Sequence, residues 1–108
     1  VGSRMPLSAG SAAKILLAYG PPGLAERILP GADFDAAELD DVAKQGWAES
    51  MGERDPALAS VSAPVRDGAG EIVAVLSISG PVERLSPSPF EAWGREVLTA
   101  AADMEKRL

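Results

Sequence analysis

The sequence predicts an α+β fold, in which an antiparallel sheet is flanked by helices and a C-terminal β-hairpin is followed by a long helix. Two runs of alternating character, 60–66 and 71–79, flank the turn segment Asp67-Gly-Ala-Gly70 and predict the hairpin. Apolar residues then recur at steps of three and four, as on one face of a helix. A chain of 108 residues has the size of a single domain.

The composition excludes most familiar enzyme and metal sites. The chain has no Cys and no His, which removes disulfides, thiolate nucleophiles, imidazole bases and the usual zinc ligands, and we expect neither catalysis nor a cofactor. A net charge of −6 without a basic cluster disfavours binding to a phosphate backbone. No apolar run approaches the roughly 18 residues of a membrane span, so we expect no membrane partner. Because the chain has no cysteines to oxidise, we expect a cytoplasmic protein.

Two helices are predicted near the start of the chain. The first spans 11–19, with Ser8 and Ser11 as candidate caps. The segment Gly20-Pro21-Pro22 ends it, because glycine and proline interrupt helices. A second, short helix follows at 22–29 and opens with its proline.

A third helix is marked at both of its ends. Asp35 is placed to cap it, Glu38 completes a capping box, and Phe34 with Leu39 forms a hydrophobic staple. Gly46 is placed to end it in a left-handed conformation, and Trp47 then begins a short extended segment. Three residues form the stripe that we expect to face a core: Leu39, Val42 and Ala43.

The hairpin register follows if the charges at its turn, Arg66 and Glu71, pair with each other. This register places Val61 opposite Leu76. A slip of one residue would mix the two faces, so the pattern itself restricts the register. One face is then wholly apolar: Val61, Ala63, Val65, Ile72, Ala74, Leu76 and Ile78. The other face carries a row of hydroxyls: Ser60, Ser62, Ser77 and Ser79.

The last helix has two candidate N-termini. Ser86 can cap it with Pro87 in the first position, or Ser88 can cap it with Pro89 first and Glu91 in a capping box; we favour the first. This helix is expected to pack on a face of the sheet, since a hairpin alone is marginally stable. Its apolar stripe is Phe90, Trp93, Val97, Ala101, Met104 and Leu108.

Several segments together resemble the C-terminal effector-binding domain of IclR-family transcriptional regulators. The run 2–17 is similar to the family's entry into its first helix, and the resemblance covers essentially the whole chain. The segment from Leu76 to Pro81 is the most diagnostic. With that segment included, the segments that match after the first helix are, in chain order, Gly46-Trp47, Glu53-Arg-Asp-Pro56, Ser62-Ala-Pro-Val-Arg-Asp-Gly68, Leu76-Ser-Ile-Ser-Gly-Pro81 and Arg84-Leu85.

This resemblance implies a GAF-like sheet that binds a small organic acid or aromatic metabolite between the sheet and the first helix. It also implies that residues 1–108 are the N-terminally truncated portion of a larger regulator. DNA would be bound only through a winged helix-turn-helix domain absent from this chain, and the protein would form a homo-oligomer, a dimer or a tetramer. Carried over by position, the effector site is Ser11, Ala12, Ser50, Ser60, Ser77 and Ser79.

The chain departs from the family pattern at four positions of this region. Ser8 stands where the family has His, Ser11 and Ala13 stand where it has Gly, and Ser50 stands where an acid is frequent. Larger residues narrow the approach to the helix start. The effector is therefore smaller than usual, placed differently, or lost. A helix N-terminus with nearby hydroxyls nonetheless suits capture of a carboxylate.

Other interpretations of the same residues remain open. The serine row is also compatible with an ordinary solvated strand face, and the chain with a ligand-free oligomerisation module of such a regulator. A minimal hydrolase would need Lys14 to activate Ser11 or Ser8, although no oxyanion site is evident. Arg66 and Glu71 would form a surface cross-strand pair.

Overall fold

The computed structural model describes residues 10–32, 34–52, 56–85 and 88–107. Helices lie on both faces of a small antiparallel sheet, which confirms the predicted α+β class. The elements are α1 (Ser11–Ala18), α2 (Pro22–Ile28), a 3₁₀ turn (Leu29–Gly31), α3 (Ala36–Gln45), β1 (Ala48–Met51), β2 (Leu58–Arg66), β3 (Ile72–Pro81), α4 (Val82–Leu85) and α5 (Pro89–Lys106).

The sheet order is β1-β2-β3, with β2 in the centre. Strand residues alternate between the two faces, so α5 packs on one face of β2 while α1 packs on the other. On the α5 side, the buried core consists of Val61, Ala63, Val65, Val97 and Ala101. On the α1 side, apolar residues of α1, α3 and β1 form a second buried set around Ile15, Val42 and Ala48.

The predicted hairpin register is wrong by two residues. Val61 lies opposite Ile78 rather than Leu76, and the ladder is interrupted by a bulge after Val65. Because side chains alternate with a period of two, a shift of two residues keeps each side chain on its predicted face. The sorting into an apolar face and a hydroxyl face is therefore correct.

The turn explains the shift. The Asp67 carboxylate accepts hydrogen bonds from the backbone N–H groups of Ala69 and Glu71, and the N–H of Asp67 donates to the carbonyl of Glu71. Arg66 lies opposite Ile72 instead of pairing with Glu71. Its guanidinium lies 4.7 Å from the centre of the Tyr19 ring. A side-chain-stabilised turn thus replaces the expected cross-strand ion pair.

The apolar stripe of α5 differs in part from the prediction. Val97 and Ala101 are buried against β2, whereas Trp93 is 44% exposed and Met104 is 41% exposed. Gly94 is buried one position beyond Trp93, so the face toward the sheet is centred on the glycine. The absence of a side chain there leaves room for the Phe90 ring, which stacks on Trp47 with ring centres 3.7 Å apart. Leu108 lies outside the described residues.

α5 begins at the second of its two predicted N-termini. Ser88 caps the helix and accepts from the N–H of Glu91, so the favoured assignment, with Ser86 as cap and Pro87 in the first position, is wrong. The sequence signals could not show that Glu49 of β1 takes part: its carboxylate accepts from Ser88 Oγ at 2.7 Å and from the N–H of Phe90 at 3.1 Å. The Glu49 carboxylate, a hydrogen-bond acceptor distant in sequence, therefore favours this N-terminus.

The predicted caps of α3 are correct, whereas Ser11 as the predicted cap of α1 is wrong. α3 begins after Asp35, whose side chain accepts from the N–H of Glu38, and ends at Gly46 with φ of 84°, as expected. Of its predicted stripe, Ala43 is exposed. The N-cap of α1 is Gly10, with φ of 95°, and Ser11 is already helical, so Ser11 does not cap this helix. Ser8 lies outside the described residues.

Gly94→Ala should destabilise the protein, although alanine normally favours a helix by about 1 kcal/mol over glycine. A Cβ at this position would overlap the Phe90 ring and disturb its stacking on Trp47. We expect a loss of about 1–3 kcal/mol in the free energy of unfolding, measured with urea. Gly23→Ala in α2 is the control, because its Cβ meets open space, and it should stabilise slightly. Equal effects of the two substitutions would contradict this packing.

Candidate functional site: the serine chain and pocket at the start of the first helix

The first residue of α1 lies directly on the sheet. The left-handed conformation of Gly10 turns the chain into the helix, and Ser11 follows it with its side chain buried. Ser11 Oγ lies 2.6 Å from Ser60 Oγ and 2.6 Å from Ser62 Oγ, both on β2. The helix start is therefore joined to the central strand by two short hydrogen bonds.

These bonds belong to a longer chain of hydroxyls. Ser60 Oγ also lies 3.1 Å from Ser50 Oγ of β1, and Ser62 Oγ lies 2.6 Å from Ser77 Oγ of β3. The order Ser50, Ser60, Ser11, Ser62, Ser77 crosses all three strands, and we call it the serine chain. The expected hollow between the helix start and the serine row is thus partly closed by direct contact. Ser62 was missed as a candidate, although its place in the predicted hydroxyl row could have indicated it.

A pocket of about 540 Å³ lies beside the serine chain. Five of the six predicted site residues line it: Ser11, Ala12, Ser60, Ser77 and Ser79. Ser50 does not line it and is buried behind Ser60. The remaining wall is mainly apolar and consists of Gly10, Leu16, Ile72, Val73, Ala74 and Val75. Because Val73 is 53% exposed and Ser77 and Ser79 are exposed as well, the pocket opens to solvent along β3.

The electrostatics of the pocket are set by the helix end. The first N–H groups of an α-helix have no carbonyl partner within the helix, and they carry partial positive charge. Ser11 and Ala12, the first two residues of this helix, line the pocket, and the first turn contains no acidic side chain. The pocket thus combines hydrogen-bond donors and hydroxyls at one end with apolar contacts at the other.

Lys14 joins α1 to its neighbours. Its ammonium donates to the carbonyl oxygen of Glu49 at 2.7 Å, lies 3.1 Å from the carboxylate of Glu38 and lies 5.7 Å from the centre of the Phe34 ring. Only 4% of this residue is exposed. Ser11, which the alternative hydrolase interpretation would pair with Lys14, is hydrogen-bonded to serines instead. The Lys14 contacts are those of a residue that holds helices and a strand together.

Comparison with known proteins places the chain among bacterial transcriptional regulators. A family model described as "Bacterial transcriptional regulator IclR C-terminal" matches residues 1–106. The chain belongs to this family, as its motifs predicted. Members of the family are regulators of transcription, not enzymes.

Individual relatives agree with this assignment. All of the chain aligns with 46% of the HTH-type transcriptional regulator KdgR of Escherichia coli at 28% identity, and with 44% of the HTH-type transcriptional repressor AllR of Klebsiella pneumoniae at 32% identity. The chain therefore spans less than half the length of these relatives. The crystal structure of the C-terminal domain of E. coli KdgR matches 98% of the chain with a TM-score of 0.78, and 73% of that domain is covered.

Among the described residues, none of the helices combines the length with the apolar composition that spanning a membrane requires. Over the same residues, His, Cys, Asp and Glu side chains do not form a group of three that could hold a metal ion.

Lys14→Met should lower the free energy of unfolding by roughly 1–3 kcal/mol, because the carbonyl of Glu49 and the carboxylate of Glu38 would lose a donor. The measurement is urea unfolding followed by tryptophan fluorescence. Lys44→Met is the matched control, since Lys44 lies exposed in the last turn of α3 and should change stability by less than about 0.5 kcal/mol. A Lys14 variant as stable as the control would show that these bonds contribute nothing.

Proposed function

We propose that this chain is the effector-sensing part of an IclR-type regulator and that its pocket captures a small organic acid or aromatic metabolite. The observation that carries the proposal is the pocket itself, which brings the start of α1 together with hydroxyls of β2 and β3. Family membership supports a regulatory role. The predicted site residues, Ser50 excepted, line this pocket.

The chemistry of the pocket wall supports capture without reaction. Backbone N–H groups at the start of α1 suit a carboxylate, since they are donors within a partial positive charge. Ser77 and Ser79 offer hydroxyls to the same end of a ligand, while Leu16, Val73 and Val75 offer apolar contact. Each hydrogen bond contributes about 0.5–1.5 kcal/mol, and several bonds with some apolar burial reach micromolar affinity.

In this proposal, the chain is the C-terminal portion of a longer cytoplasmic regulator, and a separate winged helix-turn-helix domain binds DNA. The relatives support it, since they are called HTH-type regulators and are more than twice as long as the aligned chain. The net charge of −6 is consistent with a piece that does not itself bind DNA. Ligand capture would shift the balance between conformations or assemblies of the regulator and so alter the spacing of its DNA-binding domains.

A thermal-shift screen of small carboxylic acids and aromatic metabolites tests this function. At least one compound should raise the melting temperature in proportion to the logarithm of its concentration above Kd. The double variant Ser77→Ala, Ser79→Ala should lose that shift, because both hydroxyls line the pocket. Thr99→Ala, on the exposed side of α5, should retain it. A shift that survives the double variant would place the ligand elsewhere.

A second candidate function, assembly without a ligand, is favoured by the free edge of the sheet. In the described residues β3 pairs with β2 alone, and the ten residues of β3 include no charged side chain. Protein edge strands are usually protected by charges, so an uncharged edge favours pairing with another strand. A second copy of this chain could supply that strand and form a dimer or part of a tetramer.

Val73→Lys tests the assembly function by placing a charge on this edge. If β3 pairs with a second copy, the variant should be monomeric at concentrations at which the wild type associates, because a lysine on an edge strand opposes pairing. Sedimentation velocity over a range of concentrations gives the answer. Met104→Lys, on the exposed surface of α5, is the control and should associate as the wild type does. A wild type that stays monomeric throughout would exclude this function for the isolated chain.

A further inference from the structure

The serine chain holds one more hydroxyl proton than it has internal hydrogen bonds. Each serine hydroxyl has one proton to donate and two lone pairs with which to accept. Five hydroxyls joined in a row by four bonds use four protons and leave one. Within the described residues these hydroxyls bond to one another and to no other group, so the remaining proton must point out of the chain.

Burial decides where that proton lies. The serine that keeps it accepts from its neighbours, and every other hydroxyl of the chain donates toward it. Ser62 is fully buried and Ser50 is 7% exposed, whereas Ser77 is exposed in the pocket wall. A buried O–H without an acceptor is unfavourable. Without a ligand, the bonds therefore run from Ser50 toward Ser77, and Ser77 donates into the pocket.

We infer that Ser62 is a positioning residue that makes the two sides of the pocket alternate as hydroxyl donors. Its hydroxyl connects Ser77 on β3 with Ser11 at the start of α1. When Ser77 donates to a ligand, the hydroxyls of Ser11 and Ser60 donate their protons to other serines of the chain. They can then only accept a hydrogen bond from the ligand. When Ser60 donates instead, Ser77 must turn its proton toward Ser62. The chain thus supplies one hydroxyl donor at a time, unless an internal bond breaks.

The consequence for a ligand rests on the proposed function of the pocket. Ser11 Oγ and Ser77 Oγ are both hydrogen-bonded to Ser62 Oγ, and both residues line the pocket, so one carboxylate or carboxamide group can reach the two hydroxyls together. A carboxamide matches the alternating chain, because its oxygen accepts from one side while its N–H donates to the other. A carboxylate can only accept, so it receives one hydroxyl proton and must take further donors from the N–H groups of α1.

The direction of the bonds can be tested without a ligand. In the wild type, the Ser11 hydroxyl proton should point to Ser62; in Ser77→Ala it should point to Ser60, because the remaining proton must then leave through the half-buried Ser60. Nuclear Overhauser effects from the slowly exchanging hydroxyl protons report this reversal. Ser79→Ala is the matched control, since Ser79 lines the same pocket outside the serine chain. A Ser11 proton that points to Ser60 already in the wild type, or one whose direction Ser77→Ala leaves unchanged, would overturn the inference.

The effect on recognition is tested with benzoate and benzamide, which share a ring and differ in one donor. Ser62→Ala divides the chain into two parts, each with its own outward proton, and should improve benzoate binding relative to benzamide by roughly 3- to 10-fold, as expected for one added hydrogen bond. Dissociation constants come from chemical-shift titrations. Ser62→Thr keeps the hydroxyl and should restore the wild-type ratio. A simple packing defect in Ser62→Ala would weaken both probes equally and would count against the inference.

The two experiments separate the inference from the proposed function. If neither probe binds the wild type but Ser77→Ala reverses the Ser11 proton, the serine chain is ordered as inferred and the choice of ligand class is at fault. If the probes bind and the Ser11 proton does not respond to Ser77→Ala, the pocket stands and the ordered chain is wrong. The hydroxyl-proton measurement therefore decides the inference by itself.

Discussion

The contact between Ser11 and the central strand is the constraint on which the rest of the structure depends. Two hydrogen bonds of 2.6 Å hold the first turn of α1 against β2 without intervening space. This close approach lets Ile15, one turn later, pack against Ala48 of β1. It also moves the open volume to the side of the helix, where the wall of β3 is exposed. The position of the pocket is thus a consequence of how the helix start is attached.

The short strand β1 connects this attachment to the opposite face of the sheet. Alternation along the strand sends Ser50 toward α1 and Glu49 toward α5. The carbonyl of Glu49 accepts from Lys14, while its carboxylate accepts from Ser88 and from the N–H of Phe90 at the start of α5. One residue therefore binds groups from both helical layers, and the two layers are fixed relative to each other through it.

Two of the residues that depart from the family pattern, Ser11 and Ser50, belong to the serine chain. A glycine at the start of the helix would leave the backbone accessible to a ligand. Ser11 fills that space instead, and its hydroxyl is hydrogen-bonded to Ser60 and Ser62. Ser50, where the family resemblance led us to expect an acid, is a neutral end of the same chain. The family identifies the class of protein, while in this member Ser11 and Ser60 bring neutral hydroxyls, hydrogen-bonded to each other, to the pocket wall.

The sequence by itself determined the longer helices, the hairpin and the sorting of strand faces, because caps such as Asp35 and Gly46 act locally and side-chain alternation depends on residue parity alone. It also indicated the family and the serines of the pocket. It did not indicate the short helix α4. Only the tertiary structure decided the exact register, the first residue of α5 and the place of Ser62 between Ser11 and Ser77. Each depends on a partner distant in sequence or on turn geometry: Glu49 for the helix start, the Asp67 turn for the register, and the approach of Ser11 for the buried hydroxyls.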